Sequence, residues 1–267
     1  MPGIAAIGRQ VRLDLDDRRG GLVGFVTLDN PRLNTMNAAL MTELRATLAA
    51  LAEEPRLRAV VLTGSGEKAF VGGADINEMS AIESPADARV FILQVHGCCD
   101  AIRTIPVPTI ARINGLCLGA GLELAAACDL RVAAEHAVFG MPEVKLGIPS
   151  VVEAALLPML VGWGRTREML LLGETFDAAA ALAWGVVERA VPLPALDEAV
   201  ESWVAAVLAA QPEAVRLQKR LIRSWEDLPV RAAVAAGVDA FASAYSTPEP
   251  VTAMRAFLAT RARRKSG

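Results

Sequence analysis

The segment Pro108 to Asp129, P-T-I-A-R-I-N-G-L-C-L-G-A-G-L-E-L-A-A-A-C-D, limits what this chain can fold into more than any other. An apolar run rich in β-branched residues, Thr109 to Ile113, breaks at Asn114-Gly115, and a glycine-bearing turn then leads into an alanine-rich stretch. That order reads as a strand, a tight loop and a helix start. The first backbone N–H groups of such a helix lack intrahelical partners, and the positive end of its dipole lies at the loop, so a developing negative charge is stabilised there. Gly119 and Gly121 are expected to let a ligand approach the backbone, with only the Ala120 methyl between them. The segment carries one acid, Glu123. A carboxylate in an apolar turn is costly to bury without a partner or a job; a helix-start acid favoured by the dipole is the alternative.

Around this junction the chain alternates strand and helix signals. Gly21 to Leu28 reads as a strand, and Asn37 is placed to cap a helix whose Leu40, Met41, Leu44, Leu48 and Leu51 recur at three- and four-residue spacing. Arg58 to Thr63 has the continuous apolar character of a strand covered on both faces. Gly64 to Met79, G-S-G-E-K-A-F-V-G-G-A-D-I-N-E-M, is expected to be a loop with available backbone amides and no packed element. Pro85 to Thr104 reads as a helix with Val90, Phe91, Val95 and Ile102 on its apolar face, and Asp129 to Ala133 as a further strand.

Glu143 follows Pro142 in a turn, and Ser150-Val151-Val152-Glu153 has the spacing of a capping box, which makes Glu153 a helix-start residue. Its helix is interrupted at Pro158 and closed at Gly162; shorter helices follow at Thr166 to Leu172 and Asp177 to Trp184. From Leu196 onward only amphipathic helical patterns remain, the last starting at Thr247-Pro248-Glu249. The organisation is an α/β core over residues 1–195 and a helical region over 196–267.

At 267 residues with a formal charge of −3, the chain supports a substantial core and has no nucleic-acid footprint. Cys98, Cys99, Cys117 and Cys128 sit in apolar segments without metal-ligand spacing and read as buried thiols of a reducing compartment. The N-terminal residues lack a signal-peptide core, and no run reaches about twenty apolar residues, so neither export nor a membrane partner is expected and the location is read as cytoplasmic. His96 and His136 build no triad, and G-x-S-x-G, H-E-x-x-H and the P-loop pattern are absent. Gly119-Ala120-Gly121 imitates the opening of a dinucleotide fingerprint, but Leu124 occupies the third glycine position.

Three stretches, G-E-K-A-F-V-G-G-A-D-I-N-E-M, I-N-G-L-C-L-G-A-G-L-E-L-A-A-A-C-D and F-G-M-P-E-V-K-L-G-I-P, resemble in order the signatures of the crotonase superfamily, specifically its enoyl-CoA hydratases and isomerases. The resemblance spans roughly Leu28 to Pro192. It implies an α/β crotonase-like spiral of repeated β-β-α units with a C-terminal helical tail packing over a neighbouring active site in trimers or hexamers. It also implies acyl-CoA thioester substrates, with coenzyme A part of the substrate and neither metal nor separate cofactor. The amides of Ala74 and Ala120 correspond to the family's oxyanion hole, Glu123 and Glu143 to its catalytic carboxylates, and Ala74, Asp75, Ile76, Gly119 and Ala120 to substrate contacts.

Adding water to a 2-enoyl thioester builds enolate character at the carbonyl oxygen, which two preorganised amide donors stabilise. The addition moves one proton off water and one onto the α-carbon, so two carboxyl groups can divide the work: Glu123 activating water, Glu143 supplying the proton. Two departures from the family pattern stand out. Pro149-Ser150-Val151-Val152-Glu153-Ala154-Ala155 replaces a glycine-rich segment, which predicts a reshaped acyl pocket. Asn77 stands where a lysine is common, which leaves CoA phosphate contacts to Arg32 or Lys68. Isomerase or another crotonase-type lyase is the alternative activity, and a non-catalytic RNA-binding member the third, opposed by the acidic balance.

Overall fold

The computed structural model describes residues 8–265. An antiparallel hairpin opens the chain, β1 (Val11–Arg18) and β2 (Gly21–Leu28), followed by helix α1 (Ala38–Ala52). Asn37 caps α1 as its position predicts, its side chain accepting from the Leu40 N–H at 2.8 Å. Leu40, Met41, Leu44, Leu48 and Leu51 are all buried.

A unit of one long strand, one short strand and a helix then recurs. Its first turn is β3 (Leu57–Gly64), β4 (Ala69–Val71), a short helix α2 (Ile76–Ser80) and α3 (Pro85–Thr104). The second is β5 (Thr109–Ile113), β6 (Leu116–Leu118) and α4 (Ala120–Ala127). The third is β7 (Leu130–Ala134), β8 (Val138–Gly140) and, after two 3-10 turns at Pro142–Leu146 and Val152–Leu156, α5 (Leu157–Leu172). Strand β9 (Thr175–Asp177), α6 (Ala178–Trp184), β10 (Arg189–Val191) and α7 (Leu196–Ala209) complete the α/β portion.

The long strands, with the three-residue β10 at one edge, build one sheet in the order β1-β2-β3-β5-β7-β10, parallel from β2 onward; the other short strands build a second, β4-β6-β8-β9. Each turn of chain thus adds a strand to both sheets, the spiral of β-β-α units expected. Seven of the eight residues of β3 are buried, in keeping with a strand covered on both faces.

Several elements differ from expectation. The segment Gly64–Met79 is not wholly loop: it contains β4 and α2, and only Ser65 to Lys68 before β4 and Gly72 to Asp75 after it remain irregular. Two buried asparagines hold it. Asn114 Nδ2 donates to the carbonyls of Gly64 (3.0 Å), Gly66 (2.6 Å) and Ala69 (3.1 Å), and Asn34 Nδ2 to those of Ser65 (3.1 Å) and Ala69 (2.9 Å). On α3, Val90 is 60% exposed, and Cys98 and Cys99 take the buried positions beside Val95 and Ile102. All four cysteines are free and buried. The helix end expected at Gly162 is present, by contrast: its φ of 75° and ψ of 163° are non-helical, and α5 is two helices meeting there at a kink.

By compactness the chain divides into two units, the first reaching Val204 inside α7 and the second covering 205–267. The second contains α8 (Pro212–Asp227), α9 (Val230–Ala244) and α10 (Glu249–Lys265). Glu249 caps α8 from a distance, accepting from the N–H groups of Glu213 (3.2 Å) and Ala214 (3.0 Å). Val230, Val234, Val238 and Phe241 form an exposed apolar stripe on α9. Among the described residues no helix is long and apolar enough to cross a membrane.

Candidate active site

A cavity of about 740 Å³ opens in the first unit between the Gly72–Ala74 turn, α2, α3, the start of α4 and the 3-10 turn Pro142–Leu146. Ala74, Ile76, Gly119, Ala120, Glu123 and Glu143 all line it.

Two of its backbone amides, those of Ala74 and Ala120, have no acceptor among the described residues. Met36 and Ala74 form an isolated parallel bridge in which the Met36 N–H donates to the Gly73 carbonyl (2.9 Å) and the Asp75 N–H to the Met36 carbonyl (3.0 Å). That pattern uses the groups flanking Ala74 and turns its own N–H the other way. Ala120 is the first residue of α4, where an amide has no intrahelical partner; the neighbouring Gly119 N–H is already donated to the Gly140 carbonyl at 2.9 Å. Gly119 adopts φ 52° and ψ −121°, a conformation an L side chain rarely takes, and this sets the helix start.

Glycine serves two different ends here. A methyl group on Gly119 would collide with Oε1 of Glu143, so the missing side chain is what admits that carboxylate. A methyl group on Gly121 would overlap the Val71 carbonyl oxygen of β4. Gly121 therefore permits the close packing of α4 on β4 and not, as expected, the approach of a ligand.

Glu123 projects from the first turn of α4, 4% exposed, and its Oε1 accepts from the Ala154 N–H at 3.3 Å. Burial, and next the charge of Glu143, push its pKa up to about 8, against the smaller opposite effect of the Ala154 hydrogen bond. Glu143 is half-buried in its turn, and its Oε2 accepts from the Ser150 hydroxyl at 2.8 Å. Two acids thus face one cavity from different elements, close enough for the charge of one to oppose ionisation of the other.

The remaining expected residues are placed otherwise. Arg32 and Lys68 are exposed and outside the cavity lining. Asp75 is spent on structure: its carboxylate caps α2, accepting from the N–H groups of Asn77 (2.9 Å) and Glu78 (3.2 Å), and its amide is taken by Met36. The lining instead brings in two cations not anticipated, Arg89 and Lys145, the latter paired with Glu174 at 2.8 Å.

Glu153 departs most from expectation. The capping box does not form: Ser150 bonds Glu143, Val151 precedes the 3-10 turn, and Glu153 turns inward to 4% exposure, where its Oε1 meets Nδ1 of His96 at 2.8 Å. Val152 takes φ 41°, a left-handed conformation unusual for a β-branched residue, to make that turn. A sign of this was available in the acid's setting, Val-Val before it and Ala-Ala-Leu-Leu after it, which leaves no polar face for a solvated cap.

A sequence model of the enoyl-CoA hydratase/isomerase family matches residues 18–264. The chain belongs to that family. It is 33% identical over 243 residues to the short-chain-enoyl-CoA hydratase of Clostridium acetobutylicum, covering 90% of this chain and 93% of that protein. To the crotonyl-CoA hydratase of Syntrophomonas wolfei it is 34% identical over 230 residues, covering 86% and 88%. The crystal structure of an enoyl-CoA hydratase from Mycobacterium smegmatis superposes with a TM-score of 0.90 at 32% identity, covering 95% of this chain and 97% of that one. The two-sheet spiral is accordingly the crotonase fold of the enoyl-CoA hydratases.

Proposed function

We propose that this member of the enoyl-CoA hydratase/isomerase family is a hydro-lyase that adds water across the 2,3 double bond of a 2-enoyl-CoA thioester, giving the 3-hydroxyacyl-CoA. The observation that carries the proposal is the meeting, in one cavity, of two amides without acceptors among the described residues and two acids of which one is buried. The Ala74 and Ala120 amides receive the thioester oxygen as enolate charge develops on it, the second reinforced by the dipole of α4.

The carboxyl pair works with one proton between its members. In hydration Glu123 takes a proton from the attacking water while Glu143 gives one to the α-carbon, which leaves Glu123 protonated and Glu143 ionised. Burial, and next the charge of Glu143, favour keeping the proton on Glu123 at rest below about pH 8. The product state is also the starting state for dehydration, in which Glu143 removes the α-proton and Glu123 protonates the departing hydroxyl. A water bound between the two resets the pair for hydration by passing a proton from one to the other.

Arg32 and Lys68, exposed beyond the cavity lining, and Arg89 and Lys145 at it, are the cations available to the phosphates of coenzyme A. Coenzyme A arrives as part of the substrate, and the scheme calls for no metal or separate cofactor. The exposed stripe on α9 suits a homotrimer or a hexamer of paired trimers, in which the helical region covers a neighbouring copy's site. The reaction belongs to cytoplasmic acyl-CoA metabolism.

Incubation with crotonyl-CoA and with a 3-enoyl-CoA tests the reading. Loss of conjugated-thioester absorbance from crotonyl-CoA with a gain of one water in mass is expected. A shifted double bond at unchanged mass would make the protein an isomerase.

A further inference from the structure

Beyond the amides and the two acids, the cavity is walled by apolar side chains. Among the described residues that line it, none carries a hydroxyl or an amide side chain, and its two cations, Arg89 and Lys145, are exposed. One wall is a stripe on α3: Ala88, Phe91, Ile92 and Val95 recur at three- and four-residue spacing and so share a face of the helix. Val95 is fully buried, Phe91 and Ile92 are half-buried and Ala88 is exposed. The stripe therefore climbs to the surface from the interior, where α3 packs on α4, the helix that carries Glu123.

A second wall comes from the segment after Glu143. Ile148, Pro149 and Val151 line the cavity, and the 3-10 turn that follows Val151 packs against α3. Ile148 and Val151 are 42% and 39% exposed, and Ile76 and Leu146, which also line the cavity, 60% and 54%. Four large apolar side chains around one cavity are thus left in water, an arrangement that marks a surface a ligand covers.

Size points the same way. At roughly 30 Å³ for each carbon with its hydrogens, a four-carbon acyl group fills only about a sixth of the cavity of about 740 Å³. From Val95 to Ala88 the stripe is about 10 Å long at 1.5 Å per residue. That is the span of about eight bonds of an extended chain at about 1.2 Å each.

We propose that the acyl group of the substrate is an uncharged apolar chain of medium length, about eight to twelve carbons, running outward from the Ala74 and Ala120 amides between the α3 stripe and Val151. A chain ending in a carboxylate would lay that charge along a wall without hydrogen-bond donors, since both lining cations stand in solvent. The inference rests on the hydratase reading for the thioester at which the chain begins.

The test separates binding from turnover. Saturated acyl-CoAs, which cannot be hydrated, are titrated into the full-length protein by calorimetry. Affinity is expected to rise about three- to fourfold for each methylene, so decanoyl-CoA should bind at least about a hundredfold more tightly than butyryl-CoA. The analogue of decanoyl-CoA whose chain ends in a carboxylate should bind at least about tenfold more weakly than decanoyl-CoA itself. Ile92→Trp obstructs the stripe midway, and Ala88→Asp puts a charge at its exposed end. Each should cut the decanoyl-to-butyryl affinity ratio at least about fivefold, and with it the ratio of kcat/KM for 2-decenoyl-CoA over crotonyl-CoA. Ala88→Asp changes an exposed helical position and decides the matter should Ile92→Trp not fold. Equal or absent affinity for butyryl- and decanoyl-CoA overturns the inference. So does tighter binding of the carboxylate-ended chain, which would give Arg89 or Lys145 to the acyl group, or a ratio unmoved in Ala88→Asp. Binding that strengthens with length while neither enoyl-CoA is hydrated would leave the inference standing and sink the hydratase reading; hydration of crotonyl-CoA with no gain from the longer chain would do the reverse.

Discussion

Ser150 donates its hydroxyl hydrogen to Oε2 of Glu143 at 2.8 Å, tying a half-buried carboxylate to the segment that follows its own turn. This bond selects one orientation of a side chain that would otherwise sample several. Ser150→Ala should lower kcat for crotonyl-CoA about tenfold with KM nearly unchanged, the loss of one charge-assisted hydrogen bond worth about 1.5 kcal/mol. Steady-state kinetics at fixed pH decide it, and an unchanged kcat would separate Ser150 from the chemistry.

Replacing either acid by its amide keeps shape and removes proton transfer. Glu123→Gln and Glu143→Gln should each reduce kcat by about 10² to 10⁴ while calorimetry finds coenzyme A thioester binding within a few-fold of wild type. Near-normal turnover in one variant would take that residue out of the mechanism.

A pair that needs one proton fails when the last proton leaves. Since burial and the charge of Glu143 raise Glu123 to about 8, kcat/KM should fall above about pH 8, approaching a tenfold loss per pH unit. A profile flat to about pH 10 would contradict the placement of Glu123 in a buried, coupled pair.

The same burial has a signature in stability. The folded-state pKa of Glu123 lies above its ordinary value of 4.5, so its contribution is fully present below pH 4.5 and is lost as pH rises through about 8. Glu123→Gln escapes that loss. Its melting midpoint relative to wild type should rise between about pH 5 and about pH 8.5, reaching on the order of a few kcal/mol in stability; a constant difference would show that the acid is not buried as described.

Two neighbouring glycines should behave differently when given a methyl group. Gly119→Ala meets the flexible end of Glu143 as well as an unfavourable φ, so activity should drop at least about tenfold with the fold retained. Gly121→Ala meets the main chain of β4, which cannot swing aside, and should cost about 1–3 kcal/mol in stability. Thermal melting and circular dichroism on both variants separate the two effects.

Much of the site could be read from residue order. The strand, turn and helix expected around Gly119 are those observed, with Ala120 opening α4 and Glu123 in its first turn, and the glycine-rich segment before it leaves Ala74 in irregular backbone, because both depend on local chain geometry. Less legible was whatever depends on contacts distant in sequence. The strands β4, β6 and β8 have three residues each, too few to show a period, yet they position the amides. Gly121 could not be assigned to packing without knowing that β4 passes behind it. Ser150 and Glu153 matched a local capping pattern, and only their partners, Glu143 and His96, reveal the tertiary contacts that displaced it.

The proposed anion grip draws on main chain just beyond the ends of two adjacent parallel strands, β4 and β6, held about 4.8 Å apart by ladder bonding. No side-chain replacement deletes it unless the backbone itself is bent. On the proposed reading the scaffold carries a standing capacity to polarise thioesters, and swapping acids on the turns around it redirects the outcome while that capacity stays intact.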